Sequence, residues 1–409
     1  MGPLSGKRVL DLTRVLAGPW ATQMLGDLGA DVIKIERPGT GDDARHYGPA
    51  WLSDDAGKPT PDSSFYISAN RNKRSLTVDL QSADGQEIIR RLAACSDILK
   101  ENFLPGAMAR IGLDHDSLRA INPRLIYCSL TGYGQSGPYS ARPGYDAVFQ
   151  AQSGLMSVTG LPDDAPGGGP VRIGPSLVDV STGANAAIAM IAALYHRDLQ
   201  SGEGQHIDVA MLDTALAMQS TAIQGFLTGG IIPERLGTAG NGGHPSRLFH
   251  CHDGDIFLSA GNSAQYKALC QILGLPELAT DPRFATAALR FKNRQMWDEI
   301  AEPVVHRRDR NELQERLIEA KIPCSVINRY DDVFADEHVK QRGLQIEMPH
   351  PAAAGATVSM VANPIRLSGS PVEYQRHPPM LGEHSEEILR DLCGFDDEKI
   401  ARLRGQRVI

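Results

Sequence analysis

Apolar and polar positions largely alternate over residues 8–15 (RVLDLTRV), which predicts a strand. Leu16-Ala17-Gly18-Pro19 reads as a turn, and Pro19 suits the start of a helix, where its missing N–H is not needed. Met24, Leu25 and Leu28 then recur at helical spacing, and Gly29 ends the run. Residues 31–35 (DVIKI) form a second short strand, closed by Glu36-Arg37-Pro38. Strand, helix and strand in this order build a parallel, doubly wound sheet, so the fold class is α/β. The alternation continues with strands expected at 75–80, 98–101 and 124–130 and a helix over 85–94. The strand ends open into Asn102-Phe103 and into the Gly-rich 131–138, the kind of loop where such sheets bind ligands.

The middle of the chain has a different rhythm. Residues 184–196 and 209–227 read as long helices, and 237–243 is Gly-rich. Two alternating runs, 248–252 and 255–259, flank Asp253-Gly254, a hairpin signal. Helical patterns follow near 265–273 and 293–318, which makes a smaller α+β domain. The tail carries charged helical patterns at 385–392 and 397–404.

Composition narrows the function. Apolar residues at 42% and charged residues at 22% are those of a soluble globular protein with a large core. A formal charge of -8 argues against nucleic acid or a membrane surface as partner, since both favour a basic field. The six cysteines form no CxxC pair, which fits a reducing compartment, and a cytoplasmic location is expected. The opening residues lack a charged segment followed by an apolar one, so no secretory leader is expected. The most apolar stretch, 184–195, is too short to span a bilayer and contains Asn185. The turn at Ala17-Gly18-Pro19 is not GxGxxG, and Pro19 removes an N–H that a pyrophosphate would use. No GxxxxGK[ST] occurs either, so nucleotide phosphate loops are not the reading. His250-Cys251-His252 sets two imidazoles on one face of a strand without a further ligand set, and no metal is expected.

The blocks themselves carry a resemblance. LSGKRVLDLTRVLAGPWATQMLGDLGADVIKIERPGTGDDAR, NRNKRSLTVDL, ENFLPGAMARIGL, SLTGYGQSGPYSARPGYDAV, RIGPSLVDVSTG and LGTAGNGGHP occur in order along almost the whole chain. Together they resemble class III CoA-transferases, the formyl-CoA transferase and carnitine CoA-transferase group. That resemblance implies a Rossmann-like large domain built from both chain ends, a small domain in the middle, and a homodimer of interlocked rings. Residues 1–200 are then the first part of the large domain, 201–225 a helical linker, 226–330 the small domain, and 331–409 a linker and return to the large domain.

The resemblance also implies the chemistry. Asp179, in Gly174-Pro175-Ser176-Leu177-Val178-Asp179, matches the family nucleophile; on spacing alone it could instead help cap the helix that follows. Ala17, Arg37, Asn72, Lys73, Asn102, Phe103, Arg110 and Tyr145 match the positions that line the CoA pocket. Gly240, Gly242, Gly243 and His244 match the glycine loop that covers the nucleophile, although His244-Pro245-Ser246-Arg247 replaces the usual continuation. No tightly bound cofactor is implied, and an acyl-CoA thioester serves as co-substrate. The GDDAR, GYDAV, SGLM and LGTAG segments look most like the succinyl-CoA:glutarate (dicarboxylate) branch. Succinyl-CoA is the expected donor, and glutarate, itaconate or malate the acceptor. Arg45, Arg172, Arg247 and His46 are candidates to hold a distal carboxylate. Related α-methylacyl-CoA racemases use a Gly-His-Asp triplet. Here the triplet is Gly144-Tyr145-Asp146, and a tyrosine with a pKa near 10 is a poor base at neutral pH, which leaves racemase as the alternative.

Overall fold

The computed structural model describes residues 1–240 and 243–409. They form two compact units. The first comprises Met1–Leu155, Ile173–Thr228 and His338–Ile409, and the second Met156–Arg172 and Gly229–Glu337.

The first unit is built on six strands: β1 (Arg8–Asp11), β2 (Asp31–Glu36), β3 (Lys73–Thr77), β4 (Ile98–Glu101), β5 (Ile126–Thr131) and β6 (His206–Ala210). Their order across the sheet is β3-β2-β1-β4-β5-β6, and every pair is parallel. Central strands are covered on both faces. On one face Leu10, Ile33, Leu99 and Tyr127 pack with the helices Ala83–Ala94, Ser385–Cys393 and Asp397–Gly405. On the other, Val9, Val32, Ile98 and Ile126 pack with α1 (Ala17–Asp27) and α2 (Leu177–His196). Burial on both sides explains why the strands read as nearly unbroken apolar runs. The strand order reverses between β1 and β4. Loops leaving the carboxyl ends of these two neighbours diverge to opposite sides and leave a crevice there.

The C-terminal return is held by polar contacts to the NRNK segment. Asn72 donates to the Glu373 carbonyl at 2.7 Å and accepts from the N–H groups of Gln375 (2.8 Å) and Arg376 (3.1 Å). Asp27 joins them, bound by Arg71, Asn72 and Asn363.

Two segments differ from the pattern. Residues 201–225, expected as a helical linker, contain β6, whose Ile207 and Val209 pack toward the core. HIDVA alternates as a strand should, but the apolar run after it dominates a helical window. Residues 293–318, expected as one helical stretch, are two helices, Arg294–Val305 and Arg310–Glu319. Asp309 starts the second by accepting from the N–H groups of Asn311 and Glu312, both at 2.9 Å.

The second unit carries an antiparallel three-stranded sheet in the order Cys324–Val326, Gly254–Ser259, Ser246–Cys251. The expected hairpin is there, with Gly254 opposite Cys251. Trp297 is wholly buried against Phe249 and Tyr266 in its core.

Candidate active site

The crevice at the β1–β4 switch point is lined by residues from both strand ends. Asn102 ties the two loops together: its Oδ1 accepts from the Arg14 N–H at 3.0 Å and its Nδ2 donates to the Arg14 carbonyl at 2.9 Å. Glu101, at the end of β4, accepts from the Phe103 N–H at 2.8 Å and so sets where that ring stands. Val15 adopts φ +71°, a left-handed conformation that costs a β-branched residue about 1–2 kcal/mol. Its N–H is held by Asp42 at 3.0 Å, and Asp42 also receives the buried Lys34 ammonium at 2.7 Å. α1 follows at Ala17, and no side chain caps its first turn.

Here lies a cavity of about 260 Å³. Its wall includes Arg14, Ala17, Asn102, Phe103, Tyr145 and Asp179. A second cavity of about 390 Å³ shares Arg14 and Phe103 and adds Arg37 and Arg110. The first is the size of a short acyl chain with the end of a thiol arm; the second offers cations near an apolar floor of Leu12, Ile35 and Met108, as a nucleotide would need.

α2 places Asp179. The helix begins at Leu177, earlier than its apolar pattern, so Asp179 falls in the first turn. The cap comes from elsewhere. Asp146 Oδ2 accepts from the N–H groups of Val178 (2.8 Å) and Asp179 (3.1 Å), and Gln150 binds the other oxygen of Asp146 at 2.5 Å. Capping is therefore done by Asp146, and the Asp179 carboxylate makes no hydrogen bond or ion pair among the described residues. It is half-buried at the cavity wall. Burial, and secondarily the Asp146 charge, push its carboxyl up to about 7. A poorly solvated carboxylate with both oxygens free is a competent nucleophile toward an acyl carbonyl.

The other expected residues divide into two groups. Ala17, Asn102, Phe103 and the exposed Tyr145 line the Asp179 cavity, while Arg37 and Arg110 line its neighbour. Arg37 also pairs with Asp43. Asn72 and Lys73 are not brought to either cavity. Asn72 is part of the clasp on the C-terminal return. Lys73 is fully buried, its ammonium within 3.0 Å of Asp11, Asn70 and the Pro19 carbonyl. Burial draws it down to about 8 despite the Asp11 partner. Arg45 is enclosed too: it binds Glu36 at 2.8 Å, pairs with Asp62, donates to the Pro379 carbonyl, and lies 3.7 Å over the Tyr66 ring. Four of its five N–H donors are so engaged, and the side chain lines neither cavity, so it is not placed to receive a substrate carboxylate. His46 contacts the Thr40 carbonyl at 3.1 Å, and Arg172 is exposed.

In the second unit His244 is buried with its Nε2 3.0 Å from Asp298 and its ring against Trp297. Arg247 is taken by Asp298 and Glu302. Gly240 donates its N–H to the Ser246 carbonyl at 3.0 Å, and Gly243 has open space where a Cβ would stand. Gly242 lies outside the described residues. Sequence reasoning passed over Arg14, Asp146 and Gln150. Only the fold brings Asp146 beside a helix that starts 31 residues later; a Gly-Tyr-Asp triplet carries no signal of that.

Comparison with known proteins gives the family. The family model described as CoA-transferase family III matches residues 4–385. The succinate–glutarate CoA-transferase of Agrobacterium fabrum is 41% identical over 390 residues, covering 95% of this chain and 96% of that protein. The succinyl-CoA:glutarate CoA-transferase of Homo sapiens is 40% identical and covers 100% of this chain and 90% of that protein. Among solved structures, a CAIB/BAIF family protein from Brucella suis superposes with a TM-score of 0.84 at 39% identity, over 96% of this chain and 99% of that one. A sheet crevice that holds one unbonded, desolvated aspartate, within a chain matched from end to end, leaves one assignment: this chain belongs to CoA-transferase family III.

Proposed function

We propose that this enzyme moves CoA from succinyl-CoA to a short dicarboxylate, glutarate first and itaconate or malate as related acceptors. The relatives named for succinyl-CoA and glutarate support the acids. The observation that carries the chemistry is the free Asp179 carboxylate in the cavity formed with Ala17, Asn102, Phe103 and Tyr145. Asp179 attacks the acyl-CoA carbonyl, the C–S bond breaks, and the CoA thiolate leaves a mixed anhydride on the enzyme. The thiolate then attacks the aspartyl carbonyl, releases the donor acid and forms an aspartyl-CoA thioester. The acceptor carboxylate reverses the two steps. Every intermediate keeps one carboxyl activated as an anhydride or a thioester, so one carboxylate suffices and no proton need cross the α-carbon. The uncapped first turn of α1 at the cavity wall suits the developing oxyanion. Arg37 and Arg110 suit the CoA phosphates. Two chains interlock as a homodimer in the cytoplasm; six free cysteines fit that compartment.

The test is direct. The enzyme is incubated with succinyl-CoA and a panel of unlabelled dicarboxylates, and the acyl-CoA products are read by mass. Glutaryl-CoA is expected. Asp179→Ala should abolish it while CoA still binds. Persistent turnover in Asp179→Ala would remove Asp179 as the nucleophile, and α-proton exchange of a 2-methylacyl-CoA in D2O without transfer would replace this reading with the racemase one.

A further inference from the structure

A dicarboxylic acyl group brings a second carboxylate out of water, and that charge needs a partner. The structure has already engaged Arg45 and Arg247 elsewhere. Arg14 is different. It lines the same cavity as Asp179, half-buried, with its guanidinium 5.0 Å from the centre of the Phe103 ring. Its side chain has no hydrogen bond and no ion pair among the described residues. Its backbone is held on both sides, by Asn102 through two hydrogen bonds and by the left-handed Val15 that Asp42 fixes. Strain of this kind persists only where the surroundings impose it, and here it aims one cation into the crevice. Burial first and then Arg37 disfavour its charge, and they outweigh the nearby Asp43 and Asp42 that favour it, so an arriving anion relieves a standing cost. Arg142 also lines the cavity, but it is exposed and stacked 3.7 Å from Tyr139.

We infer that Arg14 determines specificity by receiving, in forked geometry, the distal carboxylate of the acyl group whose other carboxyl carbon reacts at Asp179. This rests on the dicarboxylate transferase reading. The test is a competition. Equal glutarate and pentanoate, two five-carbon acids that differ by one carboxylate, are offered together with succinyl-CoA, and the ratio of glutaryl-CoA to pentanoyl-CoA is read by mass. Because both acceptors meet the same enzyme intermediate, the ratio is independent of the donor step. Wild type should favour glutarate. In Arg14→Met the preference should fall roughly 100-fold, as expected for a lost hydrogen-bonded charge pair. Arg14→Lys should lie between, since it keeps the charge and loses the fork; it carries the same test if Arg14→Met does not fold. An unchanged product ratio overturns the inference. So does weakened CoA binding with the ratio intact, which would place a CoA phosphate on Arg14. A wild-type enzyme that transfers CoA but shows no preference for glutarate overturns the dicarboxylate reading itself, a result distinct from either.

Discussion

For the proposed attack Asp179 must be ionised, yet its surroundings favour the protonated form. Burial and, after it, Asp146 lift its carboxyl to about 7. Below that pH kcat/KM should fall about tenfold per unit, because one protonation removes the nucleophile of the free enzyme. Asp146→Asn tests the cause. An asparagine oxygen can still accept from the N–H groups of Val178 and Asp179, but the neighbouring charge is gone. The acid limb should move to lower pH while remaining above the ordinary carboxylate range, since burial acts first. Stability should respond with the opposite sign. The native state holds a proton here that the unfolded chain releases near pH 4, so Asp179 makes stability fall as pH rises from about 4 to about 7. Asp179→Asn lacks that fall. Its unfolding free energy from urea titration should match wild type near pH 4 and exceed it at pH 8, by about 1 kcal/mol after allowance for solvent at a half-exposed group.

At the scale of elements, the loop between β1 and α1 depends on one buried pair. Lys34 and Asp42 are fully enclosed, and Asp42 also holds Val15 and Ala44. Asp42→Ala would leave the buried Lys34 ammonium without its ion-pair partner and with the Thr13 carbonyl as its one hydrogen bond among the described residues, a loss of about 3–5 kcal/mol in denaturant unfolding at neutral pH. Against its burial, Lys34 and the local N–H groups hold the Asp42 carboxyl below its usual value. Its contribution is therefore present above the ordinary carboxylate range and lost as pH falls below it, and the gap between wild type and variant should narrow in acid. Elements of this region were largely legible: β1, β2, β4 and α1 follow from alternation and helical spacing, and motif order alone pointed to Asp179, which the structure sets at the cavity wall. Arg14 was not, because nothing in DLTRVLAGP says that Val15 turns left-handed or that Asn102, 88 residues away, clasps the loop. Asn72 and Lys73 were misleading for a related reason. A cation-rich NRNK run beside a strand suits a phosphate site as well as a clasp, and only their distant partners Asp11, Glu373 and Arg376 distinguish the two.

The whole first unit presents an apolar surface that its own core does not use. α2 buries Val178, Thr182, Ala186, Met190 and Ala193 on one side, while Ile188, Ile191 and Tyr195 stand exposed on the other, followed by Leu199. Together with Ser201 the helical run is long and apolar enough to cross a membrane by length and composition alone. Its buried stripe of small residues against α1 is instead that of a core helix, and the remaining face needs a cover of its own. Leu216, Phe226 and Leu227 add to the exposed apolar area in the same unit. Solvated monomers rarely leave such residues bare in number, whereas obligate partners bury them. A second copy fits the proposal of interlocked rings and predicts a particle of twice 44.2 kDa by light scattering. Paired charges should break it: Ile188→Glu with Tyr195→Glu, 62–65% exposed in one chain, perturb little of the chain's own core but place two carboxylates in the covered face. The variant should elute at monomer mass or aggregate, with transfer lost in proportion to dimer. A wild-type particle of single-chain mass with full transfer activity would show instead that this face is solvated and that one chain completes the site.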